Sequence, residues 1–137
     1  MKPVTQYMSL LAAAAFMTAT PTLARDAMTA QEFDRYTRGK TLYYGQNGAP
    51  YGAEVYMDNR RVRWSFLDGE CKEGEWYESA DQICFVYEDN PNPQCWTFHD
   101  NGTGLTARFQ NTPGATELYE ADDVGAEMIC LAPNTGV

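Results

Sequence analysis

Two cysteines that bracket a turn sequence, Cys84 and Cys95, constrain the fold more than any other feature of the chain. With the turn centred on Asp89-Asn90, an antiparallel hairpin places Cys84 directly opposite Cys95. The same register places Ile83 opposite Trp96 on an apolar sheet face. Because one register supplies both a disulfide and an apolar face, it predicts a β-protein stapled by cystines.

The N-terminal segment has the three parts of a secretory signal. Met1-Lys2 is weakly positive, Met8–Phe16 is apolar, and Thr22 and Ala24 put small residues at the −3 and −1 sites. This pattern predicts a signal peptide over residues 1–24 and a single domain over residues 25–137. The apolar run is shorter than the roughly 20 residues that cross a bilayer, so we expect no membrane span after cleavage. A secreted or periplasmic location follows.

The charge balance is acidic. Nineteen Asp and Glu stand against ten Lys and Arg, a formal net charge of −9. Phosphate backbones require cationic partners, so this balance disfavours nucleic acid as a partner. A protein or a small-molecule ligand remains open.

The even number of cysteines, four, predicts two disulfides in an exported chain. Cys84–Cys95 is the favoured pair, and Cys71–Cys130 then follows by elimination, although two other pairings are formally open. A zinc site would need a closer cysteine pair, and the single histidine is His99. We therefore expect neither a metal nor a cofactor.

One short helix is predicted over Arg25–Gly39, because Thr29 and Glu32 have the spacing of a capping box and Gly39 suits a helix stop. Beyond it, seven or eight short β segments follow at about ten-residue spacing, joined by turn sequences. The last predicted strand is Ala126–Leu131. The chain is thus expected to be mainly β, a small antiparallel meander closed or half-closed into a barrel, with a β-sandwich as the alternative.

Aromatic residues supply the candidate binding site. Four tyrosines lie close together in sequence around a glycine-rich turn, Tyr43, Tyr44, Tyr51 and Tyr56, and Trp64 lies in the next predicted strand. Rings beyond those needed for a core can line a pocket or a contact surface. The tyrosines are predicted to form an exposed aromatic patch, which together with Trp64 would make contact with a ligand on a concave surface.

The sequence supports a catalytic site only weakly. Acidic side chains cluster at Asp68, Glu70, Glu73, Glu75 and Glu78, and His99 stands beside Asp100. Paired carboxylates can hydrolyse glycosides, but a solvated outer strand face is the ordinary interpretation. No catalytic residue is assigned.

Several short strings resemble an uncharacterised family of small exported bacterial proteins, a domain of unknown function. They are Gly39-Lys-Thr-Leu-Tyr-Tyr44, Arg63-Trp64, Gly74-x-Trp76, Ile83-Cys-Phe-x-Tyr87 and Cys95-Trp96. The resemblance implies a periplasmic setting and assigns no functional residue.

Three functions are consistent with these features. The first is an exported, non-enzymatic binding module of unknown ligand. The second is an inhibitor of a secreted hydrolase such as lysozyme or a protease, for which an acidic surface would attract a cationic target. The third is a hydrolase that uses the clustered carboxylates.

Overall fold

A computed structural model of the chain describes Pro3 and residues 26–110, 114, 116–122 and 127–131. These residues form one antiparallel β-barrel of eight strands, closed by pairing of the first strand with the last. The predicted barrel is therefore confirmed, and the sandwich alternative is wrong. The elements are α1 (Ala30–Thr37), β1 (Thr41–Gln46), β2 (Ala49–Tyr56), β3 (Arg61–Ser65), β4 (Lys72–Ser79), β5 (Gln82–Tyr87), β6 (Asn90–Asp100), β7 (Leu105–Phe109) and β8 (Glu117–Ala121).

Apart from Pro3, the predicted signal peptide lies outside the described residues. Among the helical segments that the structure describes, none is long and apolar enough to cross a membrane.

Helix α1 plugs one end of the barrel. Its capping box forms as predicted between Thr29 and Glu32, although the helix is shorter than the predicted Arg25–Gly39. Phe33 is completely buried and meets the rings of Tyr56 and Trp76 edge-on, with centroids 5.6 and 5.1 Å away. A helix of eight residues is marginal alone, so these contacts are what hold it in place.

The cystine hairpin has the predicted register at its centre. Cys84 pairs with Cys95, Ile83 pairs with Trp96, and the disulfide is formed. The predicted turn position is wrong by one residue, because Tyr87 pairs with Asn90 and leaves Glu88-Asp89 as the two turn residues. A register irregularity between Phe85 and Tyr87 absorbs the difference. Residues 90–93 begin β6.

The second disulfide joins Cys71 to Cys130, as predicted by elimination. Residues 127–131, part of the predicted last strand, have no regular secondary structure. The disulfide and a backbone hydrogen bond of 2.9 Å from Leu131 N–H to the Gly69 carbonyl hold them on the β3–β4 loop. The strand prediction is therefore wrong for these residues, while Ala126 lies outside the described ones. Two disulfides fit an oxidising compartment.

Candidate functional site

The barrel encloses a cavity of about 260 Å³. Phe85 and Phe98 separate it from the plug, since both line the cavity and both contact Phe33. Side chains near the β3–β4 and β5–β6 turns line the other end, so the cavity opens away from the helix. The lining is mainly aromatic, with a few polar groups, which is the usual composition of a small-molecule site. Its members are Tyr44, Tyr51, Glu54, Tyr56, Trp64, Phe66, Lys72, Phe85, Tyr87, Asp89, Asn90, Gln94, Trp96, Phe98, Ala107 and Leu118.

Glu54 is the most unusual residue of this lining. It lies on the inward face of β2, is 2% exposed, and faces the cavity. The Tyr87 hydroxyl donates to its carboxyl, at 3.1 Å from Oε1 and 3.2 Å from Oε2. Burial raises the pKa of the Glu54 carboxyl well above its ordinary range, and the hydrogen bond from Tyr87 acts in the opposite direction. The barrel therefore holds an acid in a setting that favours its protonated form.

Two further phenols lie beside this acid. The hydroxyls of Tyr44 and Tyr56 are hydrogen-bonded to each other at 2.8 Å, and both residues are buried. Burial raises the pKa of both phenols, so they stay neutral over the physiological range. Glu54 and the three tyrosines thus give the cavity a polar group of neutral donors and acceptors within an aromatic wall.

The open end of the cavity, near the β3–β4 and β5–β6 turns, is its mouth. A cluster of aromatic rings forms the cavity wall nearer this mouth. Trp64 lies 5.9 Å from Tyr51 and 5.3 Å from Phe66, measured between ring centroids. A glycine makes room for it, because a Cβ on Gly52 would lie 2.2 Å from Trp64 Cζ2. Phe66 is half exposed, so the cluster extends from the cavity to solvent.

An ion pair stands at the mouth. Lys72 Nζ lies 2.5 Å from Asp89 Oδ2, and both side chains are partly exposed. Lys72 also lies over the face of Phe66, with Nζ 5.9 Å from the ring centroid. Because the pair is solvated, its effect on stability is small. It is relevant here because it lies where a ligand would enter the cavity.

No family model, curated protein or solved structure matches this chain.

The structure separates the five predicted binding residues into two groups. Tyr44, Tyr51, Tyr56 and Trp64 line the cavity. Tyr43 faces outward, where its hydroxyl accepts a 3.3 Å hydrogen bond from Met128 N–H. The predicted exposure is wrong for Tyr44 and Tyr56, which are 3% and 2% exposed, because inward strand positions bury them. Their role in binding stays a prediction.

Sequence reasoning missed Glu54 and Tyr87. A usable signal was present in β2, where Gly52, Glu54 and Tyr56 alternate onto one face. Inward strand positions are usually apolar, so a carboxylate that shares the inward face with a buried tyrosine marks a candidate site. The same alternation identifies Tyr87 as an inward residue, because it lies two residues after the buried Phe85.

The predicted catalytic candidates lie outside the cavity lining. Glu73 faces outward and is ion-paired with Arg63 at 2.5 Å and with Arg61 at 3.8 Å. His99 pairs with Thr106 across β6 and β7. Within the described ranges, no group of three or more His, Cys, Asp or Glu side chains is placed to hold a metal ion.

Proposed function

We propose that this chain is an exported, non-enzymatic binding module that takes one small, largely apolar ligand into the barrel. The cavity of about 260 Å³ inside the barrel carries the proposal. An aromatic lining with a few convergent polar groups is typical of a ligand pocket. The signal-like N-terminus and the two disulfides support an exported setting.

The size of the cavity limits the ligand. A cavity of roughly 150 Å³ holds benzene, so the volume here corresponds to about ten non-hydrogen atoms. A closed barrel cannot widen without breaking hydrogen bonds between strands, so we expect ligands wider than the cavity to be excluded.

Tryptophan fluorescence offers a direct test, since Trp64 and Trp96 line the cavity. Small aromatic probes such as 2-phenylethanol should change the emission saturably and raise the melting temperature. Ala107→Leu should abolish both effects while keeping the fold, because Ala107 is a buried residue of the cavity wall. Ala49→Leu, at an exposed position outside the lining, is the matched control.

Gln94→Trp, nearer the mouth, is a second blocking variant if Ala107→Leu lowers stability. Absence of any saturable response at millimolar probe would contradict the proposal, as would equal binding by wild type and a folded blocking variant.

The inhibitor and hydrolase alternatives stay predictions. The first is supported only by net charge and the second only by the clustered carboxylates, which lie outside the cavity lining.

A further inference from the structure

Glu54 has more acceptor capacity than its protein partners use. A carboxylate can accept about four hydrogen bonds, yet among the described residues only the Tyr87 hydroxyl donates to the Glu54 oxygens. Among the described residues, no Lys or Arg forms an ion pair with it. The remaining capacity is available to a ligand, because Glu54 lines the cavity.

The surrounding rings suit a positive charge. Trp64, Tyr51 and Phe66 form a contiguous cluster with centroid separations of 5.3 to 5.9 Å. Aromatic faces attract ammonium groups through the ring quadrupole, and the attraction grows when water is excluded. A buried carboxylate beside aromatic faces combines the two interactions that recognise an organic cation.

The charges at the mouth are compatible with entrance of a cation. Lys72 is ion-paired with Asp89, so it does not present an uncompensated positive charge there. The chain as a whole carries a formal charge of −9, which favours encounter with cations over anions. An anionic ligand would lose its hydration without gaining an unpaired positive partner among the described residues of the lining.

We propose that the cavity binds a small organic cation of about ten non-hydrogen atoms, with its ammonium group at Glu54 and its apolar body against the aromatic wall. This inference rests on the proposed function and names the chemical class of its ligand. In the ligand-free protein, Glu54 is a buried acid with no ion-pair partner among the described residues. In the complex, Glu54 and the ammonium group of the ligand form a buried ion pair.

Binding of a cation is coupled to proton release. Burial favours the protonated form of Glu54, so pairing with an ammonium group releases that proton, and affinity rises with pH. The other titratable groups of the lining are four tyrosines and the ion pair at the mouth: Tyr44, Tyr51, Tyr56, Tyr87, Lys72 and Asp89. Burial raises the pKa of all four phenols, so they stay neutral while Glu54 titrates.

Three probes that share one carbon skeleton separate the possible ligand classes: 2-phenylethylamine, 2-phenylethanol and phenylacetate. Titrations would follow tryptophan emission of the oxidised protein at pH 8. The amine should bind about ten- to a hundredfold more tightly than the alcohol, as expected for a charge-assisted hydrogen bond, and phenylacetate should bind most weakly.

Glu54→Gln should remove the preference for the amine and retain binding of the alcohol. Glu54→Met is the second variant if the amide perturbs the fold, and Glu75→Gln, at an exposed outer position, is the control. Equal affinities for amine and alcohol, a preference for phenylacetate, or an unchanged preference in Glu54→Gln would each overturn the cation inference while the binding module stands. Failure of all three probes would overturn both proposals.

Discussion

Replacing Glu54 by glutamine should change how stability depends on pH. The side chain is 2% exposed, and Tyr87 is its single described hydrogen-bond partner. Its pKa in the folded protein lies well above the ordinary value of 4.5, because burial disfavours the carboxylate. The folded state therefore binds a proton more tightly than the unfolded state does. It follows that the free energy of unfolding falls as pH rises from 4.5 to the raised pKa.

The size of this effect follows from linkage. Within that pH window, Glu54 can lower the free energy of unfolding by up to about 1.4 kcal/mol for each pH unit. In a domain of this length, each kcal/mol corresponds to about 4 °C in melting temperature. Glutamine does not titrate and keeps an oxygen that can accept from Tyr87, so the Glu54→Gln protein should lack this slope. The variant should therefore gain stability relative to wild type as pH rises.

Urea unfolding from pH 4.5 to 8, followed by far-UV circular dichroism, would measure the difference between the two proteins. The contributions of distant ionisable groups cancel in that difference. Glu75→Gln, on an exposed part of β4, should run parallel to wild type. Parallel profiles for Glu54→Gln and wild type would refute the argument, since they would mean that Glu54 ionises as easily in the barrel as in the unfolded chain.

Three other substitutions test the architecture. Phe33→Ala should lower the free energy of unfolding by about 3–5 kcal/mol, measured in urea, because the ring is fully buried in the plug; a loss below 1 kcal/mol would show that the helix is dispensable. Gly52→Ala should displace Trp64, shift the tryptophan emission and weaken probe binding; unchanged emission would count against the close approach. Replacing Cys71 and Cys130 together by serine should cost about 4 kcal/mol for a sequence separation of 59, and a thermal scan matching wild type would contradict this.

Most of the architecture could be predicted because it depends on local patterns. Alternation and a short turn, which are properties of neighbouring residues, predict the Cys84–Cys95 pairing; the turn lies one residue earlier than predicted, and the irregularity between Phe85 and Tyr87 restores that pairing. The conformation of residues 127–131 was harder to predict. Their apolar composition imitates a strand, but a disulfide and a hydrogen bond to Gly69 hold them as irregular chain, and such contacts are distant in sequence.

The candidate site was only partly predictable, for two physical reasons. Proximity in sequence suggested that Tyr43 and Tyr44 act together, yet adjacent residues in a strand face opposite sides of a sheet. Glu54 was missed because a carboxylate is ordinarily solvated, and only the closed barrel shows that its strand face points inward. Its partner Tyr87 lies 33 residues away in the chain.

Because the helix plugs one end of the barrel, the residues at the two ends are under different evolutionary constraints. Phe33 and the rings around it close one end and carry the cohesion of the fold. The mouth lies at the other end, where Phe66 and Lys72 are partly exposed and lie outside the buried core cluster. Descendants of this chain could therefore exchange mouth residues, and with them the ligands that gain entry, while the plugged end and the interior around Glu54 stay unchanged. Adaptation of ligand entry would then proceed at the mouth without loss of the barrel.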